Sequence, residues 1–181
     1  GEYDECGVCN GQGIGEDACD CDGNVEDECG ECGGDGIADG ACDCAGSVED
    51  CAGVCGGSAE NCPDWEDNPG AYEFTATMSG GVVLNEGVQL GDAGDILAAF
   101  DADGNIRGVA IQLTPPFGPY IGTTVYEMQI RSNAAGDLIS FKYYDASEDE
   151  VLLSGDIYEF VINDNDIGNW MDPYIINVGT V

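Results

Sequence analysis

Histidine is absent from this chain, and only 3 of its 181 residues are lysine or arginine, against 37 aspartates and glutamates, a formal net charge of -34. Without histidine there is no Ser-His-Asp triad, no His-ligated metal and no imidazole general base. Three cations cannot build a basic patch, and a polyanion repels another polyanion, so nucleic acid is excluded as a partner and anionic lipid is disfavoured. No apolar run approaches the roughly 18 residues of a spanning helix, so no membrane insertion is expected. A pair of carboxylates could hydrolyse a glycoside, but carboxylates are so frequent here that their presence selects no pair. The expectation is a protein that is not an enzyme.

What is abundant is cysteine, 11 residues, and glycine, 29. All the cysteines lie at or before Cys62, whereas Arg107, Arg131, Lys142, both tryptophans and all the prolines lie after it. Two domains are therefore expected, 1–62 and 63–181. The first is a repeat with a period of 23 residues. Asp4-Glu5-Cys6-Gly7-Val8-Cys9 returns as Asp27-Glu28-Cys29-Gly30-Glu31-Cys32, and Cys19 and Cys21 return as Cys42 and Cys44. A shortened third copy holds Cys51 and Cys55 and ends at Cys62. Each copy has almost no large apolar residue and cannot bury a core, so cross-links or metal must order it.

Three uses of the cysteines compete. As disulfides, the closely spaced Cys19/Cys21 and Cys42/Cys44 are poorly placed to bond within a pair. Each CxxC pair is then expected to bond to cysteines further along, such as the CxC pair, in a nested or crossed pattern that spacing leaves open. Eight cysteines of the two full copies can pair among themselves. That leaves Cys51, Cys55 and Cys62, with Cys51 or Cys55 expected to bond Cys62 and one thiol over. As Zn²⁺ ligands, two CxxC pairs would have to converge as thiolates. As a redox CxxC, they lack a βαβ context. Cysteine at this density favours disulfides and an extracellular or cell-surface location.

Aspartates on glycine-rich loops offer the hard oxygens that Ca²⁺ prefers. The candidate ligands are Asp17, Asp20 and Asp22 in the first copy and Asp35, Asp39 and Asp43 in the second. Asp164 and Asp166 form a further candidate after residue 62. Asp101 to Asn105 could open a calcium loop too, though an Asp-Gly hairpin turn explains it better. Glu148 to Glu150 reads as a solvated hairpin tip. The bland reading of every carboxylate is an acidic surface that keeps the chain dissolved.

After Cys62 the chain reads as β structure. Expected strands are 72–78, 81–84, 95–100, 106–113, 123–131, 138–144, 151–154, 157–162 and 174–178, set apart by turn residues such as Asp103-Gly104-Asn105 and Pro115-Pro116. No convincing helix is present. The fold expected is mainly β, an antiparallel β-sandwich of jelly-roll or immunoglobulin-like topology, preceded by an irregular disulfide-rich, calcium-binding repeat stalk. Aromatic strips at Tyr143-Tyr144 and at Trp170 could meet the face of a sugar, but fit a core or its rim as well. The three cations are expected to pair with nearby carboxylates.

Several of these runs resemble known families. Cys6 to Gly13 and Cys29 to Gly36 fit CxxCxGxG and resemble the zinc-binding repeat of DnaJ-type chaperones, without that family's other domains. Asp27 to Gly36 is similar to the DECGVCGGDG run of secreted bacterial repeat proteins, and to a run in secreted metalloproteases with thrombospondin motifs. Gly13 to Asp20 and Gly36 to Asp43 look like the calcium-binding thrombospondin type 3 repeat with one residue inserted. Gly94 to Phe100, Ile106 to Ala110 and Ser140 to Asp145 resemble β domains of large secreted proteins of marine bacteria. The resemblance implies an extracellular, non-catalytic module, often in tandem. The role expected is a structural subunit of a surface fibre or filament, braced by calcium and disulfides. Its partners would be copies of itself or other cell-surface proteins. The alternative is a tandem adhesin or carbohydrate-binding module with glycans as partners.

Overall fold

The computed structural model describes residues 1–179. The chain divides into two compact units, Gly1–Gly57 and Ser58–Val181.

The first unit has neither helix nor extended strand. Its regular feature is a small hairpin that recurs at the repeat period, marked by the antiparallel bridges Tyr3↔Cys9, Glu26↔Cys32 and Glu49↔Cys55. Each hairpin is closed by equivalent bonds: Asp4 N to Val8 O, Asp27 N to Glu31 O and Asp50 N to Val54 O, all 3.0 Å. The turn residues Gly7, Gly30 and Gly53 have φ of 77–78°, a left-handed conformation that costs glycine least. No large apolar side chain of this unit is buried.

The second unit is mainly β, with one short 3-10 turn at Pro69–Ala71. Its strands are β1 (Phe74–Asn85), β2 (Val88–Leu90), β3 (Ile96–Phe100), β4 (Ile106–Val109), β5 (Ile111–Leu113), β6 (Val125–Ser132), β7 (Leu138–Asp145), β8 (Glu150–Glu159) and β9 (Tyr174–Val178). They form one sheet in the order β4-β3-β7-β8-β9-β1-β6-β5, with β2 paired to β1. The terminal strands β4 and β5 are consecutive in the chain. The Ala110 N–H between them still donates to Leu97 O of β3 at 2.9 Å, while β5 pairs with β6. The two ends of the path thus meet, and the sheet is nearly closed. Such closure leaves few unpaired edges.

Two expected strand pairs fuse. Residues 72–78 and 81–84 become β1, with a register shift between Met78 and Gly81 opposite β6. Residues 151–154 and 157–162 become β8, with a shift in its pairing to β7 between Ser140 and Lys142. A bulge adds a residue without ending a strand, so Gly80 and Gly155 mark irregularities here and not turns. Pairing is antiparallel except between β1 and β9, where Gly81↔Tyr174 to Asn85↔Val178 run parallel.

Alternation selects the core. Tyr126, Met128 and Ile130 of β6 point inward, as do Ile139, Phe141 and Tyr143 of β7 and Ala76 and Met78 of β1. The other face of β3 and β7 is covered as well, by the segment that begins at Ser58. Trp65 meets Phe100 edge-on at 5.3 Å between ring centres, Cys62 Sγ lies 3.4 Å from Tyr144 Oη, and Ala59 is buried. Tyr143 and Tyr144, adjacent in sequence and on opposite faces, are therefore both fully buried.

Candidate functional site

The repeat is organised by an offset series of disulfides: Cys6–Cys21, Cys19–Cys32, Cys29–Cys44 and Cys42–Cys55. The first cysteine of a CxxC bonds the second of the following CxC. The second cysteine of a CxxC bonds the first of the preceding CxC, so each bridge starts before the previous one ends. CxxC does bond to CxC, but the two full copies do not pair only among themselves, because Cys42 crosses into the third copy. Cys55 is thus unavailable to Cys62, and the leftover thiol is Cys9 in the first copy. Cys51 and Cys62 are oxidised too. Cys51 stands one residue before the register of Cys6 and Cys29, which Ala52 occupies. With ten sulfurs in disulfides, no two thiolate pairs can converge on Zn²⁺.

Asp4, Asp27 and Asp50, which the sequence reading did not single out, act as clasps. Asp27 Oδ1 accepts the N–H of Cys29 and of Glu31, both at 2.9 Å, and Oδ2 accepts Gly36 N–H at 2.8 Å. Asp4 does the same with Cys6, Val8 and Gly13. Amide donors favour the charged carboxylate, so Asp4 and Asp27 are held below the ordinary aspartate range, chiefly by Val8 and Glu31 respectively. The signal was present in the recurrence of Asp at the first position of every hairpin.

Of the expected calcium ligands, Asp20 and Asp43 are spent on their own turns. Asp20 accepts the amides of Asp22 and Asn24 and the Asn24 side chain, and Asp43 accepts those of Ala45 and Ser47. Asp17, Asp22, Asp35 and Asp39 are exposed. In the β unit, Asp164 accepts Tyr158 Oη–H at 2.9 Å and Asp166 N–H at 3.0 Å, while Asp166 is exposed. Among the described residues no three Cys, Asp or Glu side chains gather into a cation cage.

The three cations are all engaged. Arg107 contacts Asp101 at 2.8 Å and stacks on the Tyr72 ring at 4.4 Å. Arg131 forms a two-pronged pair with Asp67, at 2.9 and 2.7 Å, and Lys142 Nζ sits 4.4 Å from the Phe100 ring centre. Asp101 also closes the Asp-Gly turn by accepting the amides of Asp103 and Asn105. Burial opposes its charge, but Asn105 and Arg107 outweigh that and hold it at about 2.

Two carboxylates were missed. Asp149, read as a solvated tip, accepts Tyr144 Oη–H at 2.6 Å and both the backbone and side-chain N–H of Asn61. These donors, Tyr144 first, hold it at about 2. Asp95 is buried and accepts Tyr143 Oη–H, Asp92 N–H and Ala146 N–H. Desolvation pushes it above the ordinary range despite these bonds. Tyr143 Oη in turn lies 3.1 Å from Tyr126 Oη, so this chain of groups is a satisfied core network. Local pattern marks neither role, since Asn61 lies 88 positions from Asp149, and Tyr143 and Ala146 lie 48 and 51 positions from Asp95.

Of several concave sites, one on the β unit has a largely apolar lining. At the β1 bulge, Ser79 lies beside Glu127 of β6, beneath two loops that carry Phe117 and Asn169 to Met171. Together they line a cleft of about 340 Å³. Phe117 and Trp170 meet edge-on at 5.7 Å between ring centres, and Phe117 and Met171 are 58% and 60% exposed. The loops approach closely because the backbone lacks side chains there: a Cβ at Gly80 would strike the Asn169 backbone, and one at Gly118 the Met171 sulfur. Asn169 Oδ1 accepts the N–H of Met171 and of Asp172, which fixes the loop. Trp170 is thus a rim residue of an open site, whereas Tyr143 and Tyr144 are core.

No family model, curated protein or solved structure matches the chain.

Proposed function

We propose that this is a non-catalytic extracellular structural protein, a disulfide-braced repeat followed by a β unit, which serves as a subunit of a surface fibre or filament. The observation that carries the reading is the offset disulfide series. It passes order from one copy to the next without a hydrophobic core, so copies can be added or lost without redesign, as in other repeat arrays. A spacer needs this property and a catalytic centre does not. Such bridges persist in oxidising surroundings, which supports the extracellular assignment.

Assembly is assigned to β8. Val151, Leu153 and Ile157, with Val161 just beyond the strand, lie on its outer face and are 39–52% exposed. An exposed apolar strip of this kind marks an interaction surface. If the contact it makes does not close, copies add without limit. The repeat unit carries 16 carboxylates and no lysine or arginine, so neighbouring copies repel. Calcium is the counter-ion proposed to screen them. Electron microscopy of the concentrated protein tests the reading, with millimolar calcium or with chelator, for the native chain and for Leu153→Glu/Ile157→Glu. Filaments formed by the native chain in calcium, and lost in chelator and in the variant, support it. Dispersed single particles under every condition reject assembly.

A further inference from the structure

We propose that the cleft between Phe117, Trp170, Met171 and Glu127 is a binding site for a small N-methylated ammonium compound. The inference is independent of the structural role above.

The lining sets the class of ligand. It is largely apolar, with two aromatic rings and a thioether, the soft, electron-rich surfaces that attract an alkylated cation more than a strongly hydrated one. Its one ionisable group is the Glu127 carboxylate. Among the described residues, Arg107 and Arg131 are paired with Asp101, Asp137 and Asp67, and Lys142 sits over Phe100. No cation of the chain is therefore committed to Glu127. The net charge of -34 raises the local concentration of cations near every concave surface and repels anions. A trimethylammonium group fills such a space with methyl groups against the rings and its charge toward the carboxylate. A sugar fits less well, because its many hydroxyls would be desolvated against a largely apolar lining whose polar side-chain partners are Glu127, Ser79, Asn169 and the Trp170 indole N–H.

The site is also built rather than incidental. Bulges re-aim chains beside binding sites, and the bulge at Gly80 is what lets the Asn169–Met171 loop descend onto β1. Phe117 is a large ring left exposed, outside the buried core cluster.

The test uses the full chain and its two tryptophans, Trp170 in the cleft and Trp65 against Phe100. Their indole N–H resonances are followed during titration with tetramethylammonium, choline, the neutral choline isostere 3,3-dimethylbutan-1-ol and methyl glucoside, at ionic strength matched with sodium chloride. The expected result is a saturable shift of Trp170 alone with both ammonium compounds, with the isostere binding about tenfold more weakly. Glu127→Gln, whose spectrum shows whether it is folded, is expected to weaken binding about five- to tenfold. Equal affinity for the isostere overturns the assignment, as do preferential binding of the glucoside, a shift reproduced by sodium, an unaltered affinity in a folded Glu127→Gln, and the lack of any saturable shift.

Discussion

Breaking the Cys29–Cys44 bridge separates the two ways in which the repeat could be held. The bridge closes a loop with a sequence separation of 15. Removing it restores chain entropy to the unfolded state worth about 3 kcal/mol. Nothing in the repeat offsets that loss, since its first 57 residues bury no large apolar side chain. What remains locally are solvent-facing hydrogen bonds such as Gly33 N to Val25 O at 2.9 Å, each worth about 1 kcal/mol net. In Cys29→Ser/Cys44→Ser, the Cys19–Cys32 and Cys42–Cys55 bridges persist but no longer interlock. Hydrogen exchange should show protection of the Asp27, Gly33 and Gly36 amides reduced roughly a hundredfold, the equivalent of that free energy. Amides of Met128 and Phe141 in the β unit should keep theirs, because they share no partners with the broken bridge. Unchanged protection over 27–36 would show that the carboxylate clasps hold the repeat by themselves. Collapse of the β unit in the same variant would show that the two units do not fold separately. Either result refutes the reasoning.

Thiol titration of the denatured, unreduced protein should find about one thiol per chain, and labelling of the native protein should map it to the exposed Cys9. Phe141→Ala removes a ring that is 1% exposed and should destabilise the β unit by about 3–5 kcal/mol in denaturant unfolding. Asp101 is lowered from 3.8 to about 2, so its contribution is present above the unfolded value and is lost as pH falls through the folded one. Asp101→Asn should cost about 1 kcal/mol at neutral pH after allowance for solvent screening, and should flatten the acid limb of the stability curve between those values. Asp95, raised by burial, acts in the opposite sense. Its contribution is present below the unfolded value and lost as pH rises through the folded one, so the stability of the native chain relative to Asp95→Asn should decline as pH rises. A flat difference across that range would contradict the burial argument.

The local patterns were legible in the sequence because their partners lie within one repeat or one strand. The recurrence of Cys6, Cys9, Cys19 and Cys21 at 23 residues was enough to expect CxxC to bond to CxC. A disulfide spans only a short distance, and a core-free segment can be ordered only by neighbours in the chain. The expected strand 123–131 likewise puts Tyr126, Met128 and Ile130 on one face, since side chains on a strand change sides at every residue. Period alone did not show that Cys42 reaches into the third copy, which moved the leftover thiol from the third copy to Cys9. The tertiary structure decided what depends on closing the sheet. Parallel pairing of β1 with β9 joins residues about 90 positions apart, and the Ser58 segment buries Tyr144 on a face that strand alternation would leave to solvent. Asn61 reaches Asp149 across 88 positions, which turned an apparent solvated tip into an anchor. The Phe117–Trp170 cleft arises where the Gly80 bulge admits a loop that only the closed sheet brings near. Hydrophobic period reports which side of a strand faces inward, but burial of the opposite side, and any site on it, depends on distant segments that only packing brings together.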